Sequence, residues 1–346
     1  MYLFHNDYNQ GCHPKVMEKM LAMQPVQMTS YGQDVCCEAA AEKIRKLCNN
    51  DKLAVHFLVG GTQTNLTVIS AALRPHQAVL GVTTAHINVH ETGSIEATGH
   101  KIISLPSPDG KITAQQIRST MESQLADESA EHVVQIKMVY ISNSTELGTI
   151  YTLSELEAIS AACHEYGLYL FMDGARLSYA LTAADSDVTF ADLARLCDVF
   201  YIGGTKCGAM FGEAVVIKNP AIKEDFRYII KQKGAMLAKG WLLGLQFDAL
   251  LEDDLYMTVA RQANEYAKQI RETLISLGYE MLIDSPSNQI FPILPNTLLE
   301  KLSADFSYNT QERVSNTHTA VRFCTSWATT AEGVNALCEA LKNHSK

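Results

Sequence analysis

The sequence predicts an α/β protein in which a mostly parallel central sheet is covered on both faces by helices. Three observations carry this. Seven short runs recur between helical patterns: VHFLVG, QAVLGVT, HKIISL, IKMVYIS, GLYLFMD, CDVFYIG and EAVVIK. Each is apolar almost throughout rather than alternating, as expected of strands buried on both faces. The chain of 346 residues, 47% apolar and 19% charged, is long enough to bury a sizeable core and to form two domains.

In chain order, HFLV runs into Gly60, Gly61 and Thr62 and then into the helical pattern TQTNLTVISAAL. TLSELEAISAACHEYG opens with a capping box of Thr152 and Glu155, spaces Leu153, Leu156 and Ile159 along one face, and ends at Gly167. The strand LYLFM follows at once. Near residue 250 the alternation gives way to a long helical pattern, LEDDLYMTVARQANEYAKQIRETLISLG, and then to short segments around Pro286, Pro292 and Pro295. A large domain over 1–249, with an N-terminal arm, and a smaller α+β domain over 250–346 are expected. No internal repeat or low-complexity tract interrupts the chain.

The net charge of −10 disfavours nucleic acid or an anionic membrane as the main partner. Nine cysteines without a CxxC pair point to reduced thiols. The start MYLFHNDYNQGC lacks the basic and apolar regions of a signal peptide, and no later apolar run approaches roughly 18 residues. A soluble cytoplasmic protein is expected.

Two strand ends hold the chemistry. LYLFMDGARL places Asp173 and Arg176, and VFYIGGTKCG places Lys206. A lysine among apolar walls is a ready amine for holding an aldehyde as an imine, and a buried carboxylate keeps a pyridine nitrogen protonated. That pairing suggests pyridoxal phosphate. Asp173 could equally be an N-cap for a helix beginning near Gly174, and Gly60, Gly61 and Thr62 are either a phosphate cradle at a helix start or a simple strand-to-helix turn. His86 and His90, with Glu91, have helical spacing but not the HExxH order, and no metal is expected. Arg322, in AVRFCTSW, makes either a surface ion pair or a bidentate grip on a substrate carboxylate.

With these residues in place, the chain resembles the low-specificity L-threonine aldolases, pyridoxal phosphate enzymes of the aspartate-aminotransferase-like fold. The likeness runs through FHNDYNQG at 4–11, YGQD at 31–34, VGGTQTN at 59–65, TTAHINVHETG at 83–93, STELGTIY at 144–151, MDGARL at 172–177, GGTKCG at 203–208, LLEDD at 250–254 and RFCTSW at 322–327. The resemblance implies Lys206 as the lysine that holds the cofactor, Asp173 as the partner of the pyridine nitrogen and His86 as the residue stacked on the ring. It implies Gly61 and Thr62 on the phosphate, and Arg176 and Arg322 on the substrate carboxylate. Tyr31 and Asp34 match a stretch reaching the active site partly from a neighbouring subunit, and Lys231 approaches a neighbour's phosphate. A homo-oligomer, dimer or tetramer, follows from the same likeness.

Two positions depart from the family pattern. Asn6 stands where the family carries a serine near the carboxylate, and Thr145 stands where many members carry a histidine. The expected reaction is cleavage of threonine or allo-threonine to glycine and acetaldehyde, with a β-eliminating lyase as the alternative. The base for the β-hydroxyl stays open between His86, His90 and an ordered water.

Overall fold

All seven apolar runs are strands of one sheet: β1 Ala54–Leu58, β2 Gln77–Val82, β3 Lys101–Leu105, β4 Gln135–Ser142, β5 Tyr169–Asp173, β6 Val199–Gly203 and β7 Glu213–Ile217. The structure is a computed structural model and describes residues 1–344. Strand order is β1-β7-β6-β5-β4-β2-β3. β7 is antiparallel to both neighbours, and the remaining pairs are parallel. Only β7 is therefore reversed. Its first residue, Glu213, lies at the edge where the other six strands end.

The inner strands β2, β6 and β7 are buried at every residue. The edge strands β1 and β3 are partly exposed, since each has a neighbour on one side only. The helix Leu153–Glu165 starts with the expected capping box of Thr152 and Glu155. Two glycines let the ends of β5 and β6 approach. A Cβ on Gly174 would lie 1.8 Å from the Tyr201 carbonyl oxygen, and one on Gly203 would lie 2.5 Å from that of Ala175. Any larger residue would push these strand ends apart.

A second, antiparallel sheet has the order β10-β11-β9-β8, from β8 Met281–Ile283, β9 Gln289–Pro295, β10 Asn309–Arg313 and β11 His318–Cys324. The long helical pattern forms Leu255–Ser276, a turn later than LEDD suggests. Asp253 and Asp254 take left-handed φ values of 51° and 56°, which separate it from the preceding helix Trp241–Leu250. This helix joins two cores. Leu255, Tyr256, Ala260 and Ala263 pack in the main one, while Ala267, Ile270 and Leu274 join Phe4, Ile290, Phe323 and Leu337 in the second. The N-terminal arm belongs to the second core, where Tyr2–Leu3 pairs in parallel with Phe306–Ser307. Among the described residues no helix is long and apolar enough to cross a membrane.

Candidate active site

The carboxyl ends of parallel strands are where open α/β sheets expose backbone and side chains to a ligand. Here that edge opens into a cleft of about 770 Å³, a volume suited to a small organic ligand. Gly60, Gly61 and Thr62 enter it from β1, Thr84 and His86 from β2, Ser142, Ser144 and Glu146 from β4, Asp173 and Arg176 from β5, and Thr205 and Lys206 from β6. Arg322 of β11, with Asn309 and Gln311 of the edge strand β10, closes the side facing the second sheet.

Asp173 is fixed in a buried network. Its Oδ2 accepts from Tyr140 Oη at 2.5 Å and from Asn65 Nδ2 at 3.1 Å, and Oδ1 accepts from the Ala175 amide at 3.0 Å. The Ala175 bond is a local turn. The next helix begins only at Leu177, so Asp173 is not its N-cap. Burial would raise the pKa of Asp173, but the electrostatic influence of His86 and the hydrogen bond from the Tyr140 hydroxyl outweigh it and hold the carboxyl below its ordinary value. Tyr201 Oη approaches the same carboxylate without completing a hydrogen bond. Asn65 also donates to Glu91 Oε1 at 2.7 Å, and that oxygen meets His86 Nδ1 at 2.8 Å. Asp173, Asn65, Glu91 and His86 thus form one chain of contacts. Its carboxylate on Nδ1 fixes the orientation of the imidazole.

Lys206 is half-buried and opens onto the cleft, 6.0 Å from the centre of the Tyr8 ring. Enclosure by protein and the charge of Arg176 lower its pKa, against the opposing pull of Asp7, Asp173 and Glu213. Glu213 accepts from the Gly204 amide at 3.1 Å and from Thr205 Oγ1 at 2.9 Å. Burial pushes its carboxyl up to about 8, although Thr205 and Lys206 pull it down.

Arg176 is not a free carboxylate grip. Its Nε and Nη2 donate to the fully buried Asp7 at 2.7 and 3.0 Å, and Asn288 Nδ2 adds a third bond at 2.9 Å. Burial opposes ionisation of Asp7, but Arg176 and Lys206 bring its pKa down to about 2. Replacing Asp7 with alanine strands a buried guanidinium, and we expect a loss of about 3–5 kcal/mol in chemical denaturation at neutral pH. Since the folded pKa is depressed, this contribution is present at neutral pH and fades as pH falls from near 3.8 toward about 2. A loss below about 1 kcal/mol would show that the pair is not holding the arm.

Arg322 keeps a hand toward the cleft. Nη1 donates to Gln289 Oε1 at 3.2 Å, Nη2 donates to the His5 carbonyl at 3.4 Å, and Nε has no partner. His90 also lines the cleft, with its ring 5.5 Å from that of His86. Among the described residues no group of three or more candidate metal ligands occurs.

Four of the expected residues lie elsewhere. Asn6 does not line the cleft; its Oδ1 accepts from the Tyr8 amide at 3.0 Å and shapes the arm. Asp34 caps the helix Val35–Leu47 by accepting from Cys37 N at 2.9 Å. Tyr31 and Lys231 are exposed, and the ammonium sits 4.9 Å from the Tyr31 ring centre, outside the cleft. Glu91 enters the sequence reading only as a possible metal ligand beside His86 and His90, and Asp7, Glu146 and Glu213 are not singled out, because a single acidic residue in a loop or at a strand start looks like a solvated charge. All four lie in stretches the sequence itself marks: Asp7 in FHNDYNQG, Glu91 in TTAHINVHETG, Glu146 in STELGTIY and Glu213 at the start of EAVVIK.

Whether the cleft fits pyridoxal phosphate is tested by its own polar atoms. It offers an amine with lowered pKa, a buried ionised carboxylate, and the start of the helix Gly61–Ala72, whose N-cap Gly60 has no side chain to satisfy the first amides. Three buried hydroxyls on its lining, those of Thr84, Ser144 and Tyr201, have no protein partner. These residues fit an anionic, hydrogen-bonding aromatic group.

A family model described as beta-eliminating lyase matches residues 7–292. A low-specificity L-threonine aldolase from a Pseudomonas species is 33% identical over 304 residues, spanning 86% of each chain. A threonine aldolase structure from Leishmania major superposes with a TM-score of 0.97 at 47% identity, over 100% of both chains. An aspartate aminotransferase from Thermus thermophilus gives 0.72 at 15% identity, over 99% of this chain and 91% of that one. That last similarity shows the fold alone, the aspartate-aminotransferase-like fold expected from the sequence.

Proposed function

The chain belongs to the beta-eliminating lyase family, beside its low-specificity L-threonine aldolases, and from this premise we propose that it cleaves threonine and allo-threonine to glycine and acetaldehyde with pyridoxal phosphate. The convergence of Lys206 and Asp173 on one cleft, facing the Gly61 helix start, supports this reading.

When bound, the cofactor supplies an aldehyde to take up the substrate amine and a ring to accept the electron pair released from the Cα–Cβ bond. Lys206 Nζ holds it, and the lowered pKa makes the neutral amine accessible. Asp173 keeps a proton on the pyridine nitrogen, since a carboxylate that stays ionised favours the charged ring. Gly61 and Thr62 bind the phosphate at the helix start. His86, steadied by Glu91, presents its imidazole to the ring. Arg322 grips the substrate carboxylate, assisted by the Nη1 of Arg176 that Asp7 leaves unused. Fixing that carboxylate sets the Cα–Cβ bond relative to the ring, which selects the bond that breaks.

The protein acts as a homo-oligomer in the cytoplasm. The exposure of Tyr31 and Lys231 outside the cleft supports a role at a neighbouring subunit's site. Incubating the purified holoprotein with each threonine diastereomer should release acetaldehyde and glycine in equal amounts. A 2-oxo acid with ammonia instead would overturn the assignment in favour of elimination.

A further inference from the structure

Retro-aldol cleavage needs a base for the β-hydroxyl, and the residue at the family's histidine position does not provide one. Thr145 is fully buried, its hydroxyl is bonded to Thr149 Oγ1 at 2.7 Å, and it does not line the cleft. The next residue does. Glu146 follows β4, whose last residue Ser142 is the register partner of Asp173, so its carboxylate stands at the same sheet edge as the cofactor-facing acid.

The two oxygens of Glu146 are not equivalent. Oε1 is anchored twice, accepting from Ser142 Oγ at 2.7 Å and from the His86 amide at 3.0 Å. Oε2 accepts a hydrogen bond from no other described residue, although the amide of Glu146 itself faces the carboxylate, and the oxygen is not sealed from the cleft that Glu146 lines. A carboxylate pinned through one oxygen and offering the other is a preorganised proton acceptor. We propose that Glu146 takes the proton from the substrate's β-hydroxyl through Oε2. This rests on the threonine-cleaving reading above.

In that step the O–H bond breaks and its proton passes to Oε2. The O–H electron pair becomes the second bond of the aldehyde carbonyl, and the Cα–Cβ pair stays with Cα. Cα then takes one proton from solvent and Glu146 returns one, so the cycle balances.

The surroundings suit the task. Enclosure raises the pKa of Glu146 above its ordinary value, the charge of Asp173 adds to this, and the Ser142 hydrogen bond and His86 oppose it. Arg176 also faces it. A base whose pKa moves toward the working pH transfers protons more effectively. The two histidines are less suited, since His86 Nδ1 is occupied by Glu91 and His90 is exposed.

The test uses Glu146→Gln holoenzyme and separates two reactions. Threonine cleavage needs the β-hydroxyl base, whereas exchange of the α-hydrogen of glycine with deuterium, followed by NMR, does not. Cleavage should fall at least about 100-fold, within the range general-base loss produces, while glycine exchange and cofactor affinity, titrated by absorbance on the apoprotein, stay within about threefold of wild type. Cleavage within threefold of wild type, or equal loss of both reactions, overturns the proposal. So does a 100-fold loss on His90→Asn with Glu146→Gln intact. A wild-type protein that neither exchanges glycine nor cleaves threonine overturns the function itself instead. If the glutamine variant does not fold, Ser142→Ala serves: removing a donor that lowers the pKa of Glu146 should move the acidic limb of kcat to higher pH, and an unmoved limb counts against the assignment.

Discussion

Lys206→Ala is expected to abolish threonine cleavage, with kcat lower by about four orders of magnitude or more, the scale on which removal of a covalently acting side chain is felt. The substitution removes the amine proposed to fix the cofactor and, among the described residues, leaves no other lysine in the cleft lining. The backbone there should survive. Tyr179 Oη donates to the Lys206 carbonyl at 2.6 Å, and Cys207 N bonds to the Gly204 carbonyl at 2.9 Å, neither of which needs the side chain. Thermal unfolding of the apoprotein should therefore change little while turnover vanishes. Retention of full activity would refute the mechanism.

Asp173→Asn is the second large effect. Asparagine keeps the size of the side chain and can still accept from the Ala175 amide, but it removes the buried charge. The wild-type carboxyl is held below its ordinary value of 3.8, so it is ionised throughout the neutral range, and its effect on rate is lost only as pH falls below that value. In the proposed role, the charge of Asp173 would favour the protonated ring nitrogen, and asparagine could not supply it. We expect kcat to fall about 100- to 1000-fold, the scale of one preorganised electrostatic group, with cofactor affinity less affected. An unchanged kcat would remove Asp173 from its assigned role.

Much of this site could be read from the chain because local chemistry marks it. β5 and β6 are continuous apolar runs, and Asp173 and Lys206 interrupt apolar character where a buried strand ends. The capping box at Thr152 is equally local. What could not be read depends on contacts far apart in sequence. Nothing in EAVVIK distinguishes a reversed strand from a parallel one, so Glu213 gave no sign of standing at the same edge as Lys206. Asp7 and Arg176 are 169 residues apart, and their pairing exists only because the arm folds back on the second core. The same contact explains why Arg176, expected as a free substrate ligand, is largely committed to the protein. Asp34 followed the ordinary rule for an acid before a helix.

The proposed chemistry depends on a single lysine, Lys206, carrying the cofactor. Borohydride reduction of the holoprotein followed by peptide mapping tests it most directly. We predict a reduced pyridoxyl adduct on the peptide containing Lys206 and its absence from the other lysine peptides. An adduct on a different lysine, or none on a protein that cleaves threonine, would rule out Lys206 as the cofactor's anchor.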